Sequence, residues 1–387
     1  MMMNQDLQPD GELWWTGDIF LHFQSRPMQI QPPSASWSST TGVTPSKMKK
    51  FRPAIMSASL GRAAVHRFDQ KVQEAARAGF EGIEIFYEDL EQLAKTLYDT
   101  DAPEPQQLIY AARRMRVTLD NVGLTVIGLQ PFIFYEGLKD RNKHQELIKK
   151  LHVWMDLAKI LGTNTIQIPG NFLSADEITD DPNVIVDDMR EAADIGLQQD
   201  PPVRFAYESL CWSTYIDTWE KSWEIVKQVD RPNFGLCLDT FNIAGRVWAD
   251  PSAPDGKTPN AEEDLAASLR RIATDLDLEK VFYIQLVDAE RMDPPLVPGH
   301  PFYSEGTPAR MSWSRNARTF MYEEDRGAYL PVEAVAKTLI HELGYKGYVS
   351  MELFSRTMSD PSTDVPKSHA QRGMQAWRKL VERLNLT

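Results

Sequence analysis

The 387-residue chain is 42% hydrophobic and 10% aromatic, enough to bury a large core as one barrel or as two smaller domains. A formal net charge of −13 excludes a phosphate backbone or an anionic membrane as the natural partner, and no apolar run approaches the ~20 residues needed to span a bilayer. Two cysteines, Cys211 and Cys237, lie outside any CxxC pair, and the N-terminus lacks a secretory pattern. A cytoplasmic enzyme without a disulfide framework is the expectation.

Residues 1–47 are rich in Gln, Pro, Ser and Thr, with Pro32-Pro33, the run Ser38-Ser39-Thr40-Thr41 and only isolated aromatics such as Trp14, Trp15 and Trp37. Such a composition cannot build its own core, so the segment is read as a disordered, dispensable tail. Met48 then opens a catalytic domain over 48–387. From Phe51 onward, strand-like apolar runs fall at 52–59, 82–87, 124–130, 165–169, 204–210, 234–241, 281–287 and 348–354. Amphipathic helical patterns lie between them, for example 67–78, 105–116, 147–161 and 332–343, three of which stop at Gly79, Gly162 and Gly344.

Near-continuous apolar strands alternating with helices predict parallel pairing with both faces covered. Eight such units fit a closed α/β (β/α)8 TIM barrel in a single domain. An open Rossmann-like sheet would want a glycine-rich fingerprint after an early strand, and none is present. Two connections, 244–260 and 289–326, are too long for plain linkers and follow strand C-terminal ends, where barrel active sites sit.

Polar residues interrupt the strands at that same end. Strand five ends at Glu208, strand six at Asp239, strand seven carries Gln285 and strand eight Glu352. One such residue alone reads as a helix cap or an ion-pair partner; four on consecutive strands read as a set. Three carboxylates at a buried mouth repel one another unless protonated or bound to a cation. The all-oxygen set Glu208, Asp239, Gln285 and Glu352 suits one Mg2+ or Mn2+ ion better than zinc.

The stretch Ala78-Gly79-Phe80-Glu81-Gly82-Ile83-Glu84 resembles the second-strand signature of the xylose-isomerase-like sugar isomerase/epimerase barrels. Four stretches resemble the fungal 3-dehydroshikimate dehydratases of quinate catabolism: 82–90, Leu129-Gln130-Pro131-Phe132, 236–242 and Met311-Ser312-Trp313-Ser314-Arg315-Asn316-Ala317-Arg318. The likeness runs from about Met48 to the C-terminus, and the 311–318 stretch is its most specific part.

The resemblance implies loss of water from 3-dehydroshikimate to give protocatechuate, with the metal held by Glu208, Asp239, Gln285 and Glu352. In related barrels a histidine often stands three residues after the metal-binding aspartate; here that position is Asn242, and an amide cannot act as a general base. Glu208, Glu352 and Asn242 are the catalytic candidates, with the base left open.

A substrate carboxylate wants a guanidinium fork. Arg318 is the first choice, Arg315 the second with Ser314 as hydroxyl partner, and Arg62 a third; a solvated loop charge is the bland alternative. Glu84 and Gln130 are further substrate-binding candidates, although an ion pair inside the barrel would account for Glu84 equally well. Glu88 and Phe132 could line the pocket, Trp212 and Trp313 could wall it, and His300 could reach it from its loop.

A ketose epimerase or isomerase with the same metal shell is the alternative, and it would not need the arginine-bearing 311–318 stretch. A metal-free binding barrel is the alternative outside enzymes. A multi-zinc nuclease is excluded, since only seven histidines are present and the charge is −13. Small-molecule substrate, no nucleic acid and no membrane are the partner expectations, and homo-oligomerisation is left open.

Overall fold

A strand buried on both faces must be apolar at every position, and the short runs after Phe51 meet that demand. In the computed structural model, which describes residues 50–386, they form β1 (Phe51–Met56), β2 (Gly82–Phe86), β3 (Thr125–Gln130), β4 (Thr165–Pro169), β5 (Arg204–Glu208), β6 (Phe234–Asp239) and β7 (Val281–Gln285). After a small antiparallel ribbon of β8 (Asp288–Ala289) and β9 (Arg318–Thr319) comes β10 (Gly347–Met351). The eight long strands close into a parallel barrel in the order β1-β10-β7-β6-β5-β4-β3-β2. This is the expected (β/α)8 architecture.

The helices are α1 (Phe68–Ala78), α2 (Tyr87–Tyr98), α3 (Pro105–Val122), α4 (Arg141–Leu161), α5 (Pro182–Leu197), α6 (Trp219–Val229), α7 (Thr240–Val247), α8 (Ala261–Asp275), α9 (Ala309–Ala317), α10 (Val332–Lys337) and α11 (Val365–Arg383). Their ends follow local chemistry. Asp140 caps α4 by accepting from the Asn142 and Lys143 amides, and Gly162 ends it at φ 85°, in the left-handed region glycine enters without strain. Glu104 and Gln107 form a reciprocal capping box at the start of α3, with Pro105 at its first position.

Several strands stop earlier than their apolar runs. The run at 234–241 breaks at Asp239, whose Oδ1 accepts from the Phe241 amide at 2.8 Å and starts α7 at once. Past the strand ends, Leu210, Phe241, Leu286, Val287 and Leu353 stay buried because the loops fold back over the barrel mouth. Apolarity there reports burial, not strand.

The 289–326 connection is also more ordered than its length suggests. It carries α9 and one strand of the ribbon, and Trp313 within it donates to the Glu290 carbonyl at 2.8 Å. Arg310 donates to the carbonyls of Gly245 and Ala249 at 2.7 and 2.6 Å, tying α9 to the end of α7. The expected tail at 1–47 lies outside the described residues. Among those described, no helix is long and apolar enough to cross a membrane.

Candidate metal and substrate site

Strand register assembles the site. Asp239 pairs with Gln285 across β6 and β7, and Ser350 pairs with Gln285 across β7 and β10, so Glu352 stands just past the level of Gln285. Glu208 ends β5 alongside. Carboxylate oxygens of Glu208, Asp239 and Glu352 all lie within 4.8 Å of one another, and all three side chains are buried. The sequence places these residues up to 144 positions apart; closure of the barrel brings them to one point.

Every oxygen of the trio is held. Asn242 donates through Nδ2 to Glu208 Oε1 at 2.8 Å and to Asp239 Oδ2 at 2.9 Å, while its own carbonyl accepts from the Cys211 amide at 3.0 Å. Gln167 Nε2 donates to the other Glu208 oxygen. Arg318 Nη1 donates to Asp239 Oδ2 and Glu352 Oε2, both at 2.9 Å. Its Nε and Nη2 reach Ser314 Oγ at 3.0 and 2.9 Å. Arg318 is 2% exposed, and its guanidinium packs 4.2 Å from the Phe241 ring centroid and 5.2 Å from that of Phe354.

One layer further in, Gln285 Nε2 donates to Glu352 Oε1 at 2.9 Å and to both oxygens of Glu84 at 3.0 and 3.2 Å. Its carbonyl oxygen accepts from Cys237 Sγ at 3.2 Å. Gln285 therefore presents its amide nitrogen to the carboxylates. Gln130 Nε2 donates to Glu84 Oε2 at 2.6 Å, so Glu84 and Gln130 meet each other inside the barrel.

Three ionised carboxylates against one guanidinium would leave two uncompensated negative charges. The protonation equilibria respond accordingly. Burial, then the charges of Glu352 and Asp239, hold Glu208 well above the ordinary carboxyl range, against the pull of Arg318. Burial pushes Glu352 up to about 8, opposed by Arg318 and reinforced by Asp239 and Glu84. Asp239 is raised by burial against Arg318, and Glu84 by burial against hydrogen-bond donors that include Gln285 and Gln130. Burial works against the charge of Arg318, but Asp239, Glu352 and Glu208 outweigh it and hold its pKa above the ordinary value. A divalent cation would supply the two missing charges, and the carboxylate oxygens are donors such an ion takes. The residues fit the ion.

A second group of cations lies at the mouth. Arg62, in the turn after β1, sits 5.9 Å from the same Phe354 ring that Arg318 packs against. Its Nη1 lies 3.4 Å from Glu88 Oε2, and Glu88 Oε1 also accepts from the Ala63 amide at 3.3 Å. The turn is braced from behind by buried Lys71, which donates to the Gly61 carbonyl at 2.7 Å and to Asp89 at 2.6 Å. Arg315, one turn before Arg318 on α9, is lowered to about 10 by burial and by the nearby charge of Arg62.

Other expected residues lie elsewhere. Phe132 packs its ring 5.1 Å from Trp154 in the helix layer. Trp313 is fully buried against Phe241, 4.8 Å between ring centroids, and serves the core. His300 accepts from the Phe302 amide at 3.0 Å within its own loop. Sequence reasoning missed Gln167 and Cys237. Gln167 carried a signal, being a polar residue inside the apolar strand 165–169. Cys237 had none, because a buried cysteine is indistinguishable from a small core residue.

A carboxylate-lined mouth on a closed eight-stranded barrel defines a class, and the chain belongs to the xylose isomerase-like TIM barrel family, whose model matches residues 72–380. Within that class it is 51% identical over 339 residues to the 3-dehydroshikimate dehydratase of Neurospora crassa, covering 86% of this chain and 94% of that one. A Pseudomonas putida 3-dehydroshikimate dehydratase is 27% identical over 289 residues; the match covers 74% of this chain and only 36% of that protein. Among solved structures, the IOLI protein with a bound zinc atom superposes with a TM-score of 0.62 at 18% identity, covering 86% of this chain and 99% of that one, a likeness of fold.

Proposed function

We propose that the chain is a divalent-metal-dependent hydro-lyase that converts 3-dehydroshikimate to protocatechuate. The observation that carries the metal reading is the buried trio Glu208, Asp239 and Glu352, short of two positive charges. The substrate follows the Neurospora relative of that name.

In the reaction a proton leaves the carbon beside the ketone, the hydroxyl on the next carbon departs, and tautomerisation of the ring gives the aromatic acid and water. A bound Mg2+ or Mn2+ ion, held by Glu208, Asp239 and Glu352, would act as a Lewis acid toward the ketone oxygen. Gln285 would join that set only with its amide reversed, giving up its donated bonds to Glu352 and Glu84. The proton goes to Glu208 or Glu352, the two glutamates whose carboxylate oxygens meet at the mouth. Asn242 keeps Glu208 and Asp239 aligned through its two donated bonds. Arg318, held by Ser314, supplies the standing positive charge behind Asp239 and Glu352. Arg315, with Arg62 beside it, offers guanidinium charge to the substrate carboxylate. Two buried free cysteines accord with a cytoplasmic setting.

The test is an absorbance assay for the aromatic product with purified protein, 3-dehydroshikimate and Mn2+ or Mg2+. The expected result is product formation that a chelator abolishes and that Glu352→Gln reduces at least ~100-fold. No product with any metal sinks the reading and sends the search to ketose epimerisation, which the same carboxylates could serve.

A further inference from the structure

The opposite end of the barrel holds a cavity of about 490 Å3, lined by residues that include Lys159, Thr165, Arg204, Phe282, Tyr283 and Tyr348. No aspartate or glutamate lines it, in a chain of net charge −13. Phe282, Tyr283 and Tyr348 give it an aromatic side, and its two charged residues, Lys159 and Arg204, are both positive.

Arg204 is the unusual member. It begins β5, its guanidinium lies 4.7 Å from the Phe282 ring centroid, and Nη2 donates to Thr165 Oγ1 at 3.0 Å. Its Nε is buried with no hydrogen-bond partner among the described residues. The other guanidinium near Tyr348, Arg52, stacks 4.4 Å from that ring and is paired with Glu81 at 3.0 Å. Arg204 has no such ion pair among the described residues. Burial lowers its pKa, and only the Tyr345 phenol acts on it in the opposite direction. A half-buried cation without an acid carries a desolvation cost that an anionic ligand would offset.

We propose that this cavity is a second ligand site, distinct from the mouth, that binds a small planar aromatic carboxylate. The carboxylate would meet Arg204 and its ring would lie against Phe282 and Tyr348. The volume is ample for one benzoate-sized anion with water, and a guanidinium beside an aromatic wall recognises both ends of such a molecule. Neither Arg204 nor the ligand class depends on which reaction the mouth performs.

Benzoate is the probe, since it lacks the paired hydroxyls that would chelate a metal at the mouth. Calorimetric titration of the metal-loaded, full-length protein is expected to show benzoate binding that Arg204→Gln weakens at least ~tenfold, the loss of one charge-assisted contact. Arg204→Gln should leave turnover of 3-dehydroshikimate within about twofold, and Arg315→Gln should leave the Arg204-dependent binding intact. Binding unchanged in Arg204→Gln, lost in Arg315→Gln, or absent from the wild type overturns the proposal. Should Arg204→Gln fail to fold, crystals of the wild type soaked in 4-bromobenzoate decide. Bromine signal beside Phe282 and Tyr348 upholds the site, and signal at the mouth alone, or none, removes it.

Discussion

At the scale of single residues, the site's logic is charge accounting in a place without water. Burial and the charge of Arg62 both disfavour the charge of Arg315, a cost that an arriving carboxylate relieves. Replacing either with Met should raise KM about 10- to 100-fold with a smaller loss in kcat, and the double variant should lose less than the two losses combined. Steady-state kinetics on the three variants checks this, and equal loss of kcat with unchanged KM would move these arginines out of substrate binding. Glu136 illustrates a buried carboxyl away from the trio. Its Oε1 accepts from the Asn171 amide at 2.6 Å and from the Tyr207 hydroxyl at 3.0 Å, and burial raises it to about 7. The folded state then holds a proton that the unfolded chain releases above its ordinary value of 4.5. Its contribution is full below that value and fades as pH rises through about 7, at most about 3 kcal/mol. Glu136→Gln should flatten this part of the stability–pH curve in denaturant titrations; an unchanged slope between pH 5 and 7 would contradict the assignment.

At the scale of elements, α9 is the part whose placement matters most, because it delivers Ser314 and Arg315 and leads directly into Arg318. Its periodicity is weak, and tertiary contacts hold it. Trp313 is fully buried between Phe241 and Tyr329 with its indole N–H on Glu290, and Arg310 anchors the other side to α7. Trp313→Ala should cost ~3–5 kcal/mol of stability and, below the melting point, lower kcat/KM by displacing the arginines. A thermal melt paired with kinetics at low temperature tests both; full activity in a destabilised variant would show that α9 holds its position without the indole. Asp239 does double duty as the N-cap of α7 and a member of the trio, so Asp239→Asn should keep the helix start while emptying the site of one charge.

At the scale of the whole molecule, the barrel is a device for forcing carboxylates together, and that conflict is a cost to the metal-free fold. Glu352, raised to about 8 by burial, keeps its proton to higher pH in the folded state than in the unfolded one. The metal-free protein should therefore lose stability as pH rises from about 4.5 toward 8. Adding Mn2+ or Mg2+ should raise the melting temperature, most strongly at the alkaline end, and release protons on binding. Differential scanning fluorimetry with and without chelator reads this directly, and a melting temperature indifferent to metal at pH 8 would argue that Arg318 alone satisfies the trio.

Eight apolar runs, their helical spacers and the glycine stops were determined by local sequence, because both faces of a barrel strand are buried and period and composition record that burial. Glu208, Asp239, Gln285 and Glu352 were legible for the same reason: a polar residue closing an apolar strand stands out wherever the chain goes. What only the tertiary structure decided is who meets whom. It turned Arg318 inward onto Asp239 and Glu352, set Asn242 across two carboxylates, aimed the Gln285 nitrogen at Glu84, and placed Arg62 near Arg315 across some 250 residues of chain. These are pairings between distant segments, fixed by strand register and by loops folding over the mouth, and no local pattern encodes the partner of a side chain that closure alone brings near.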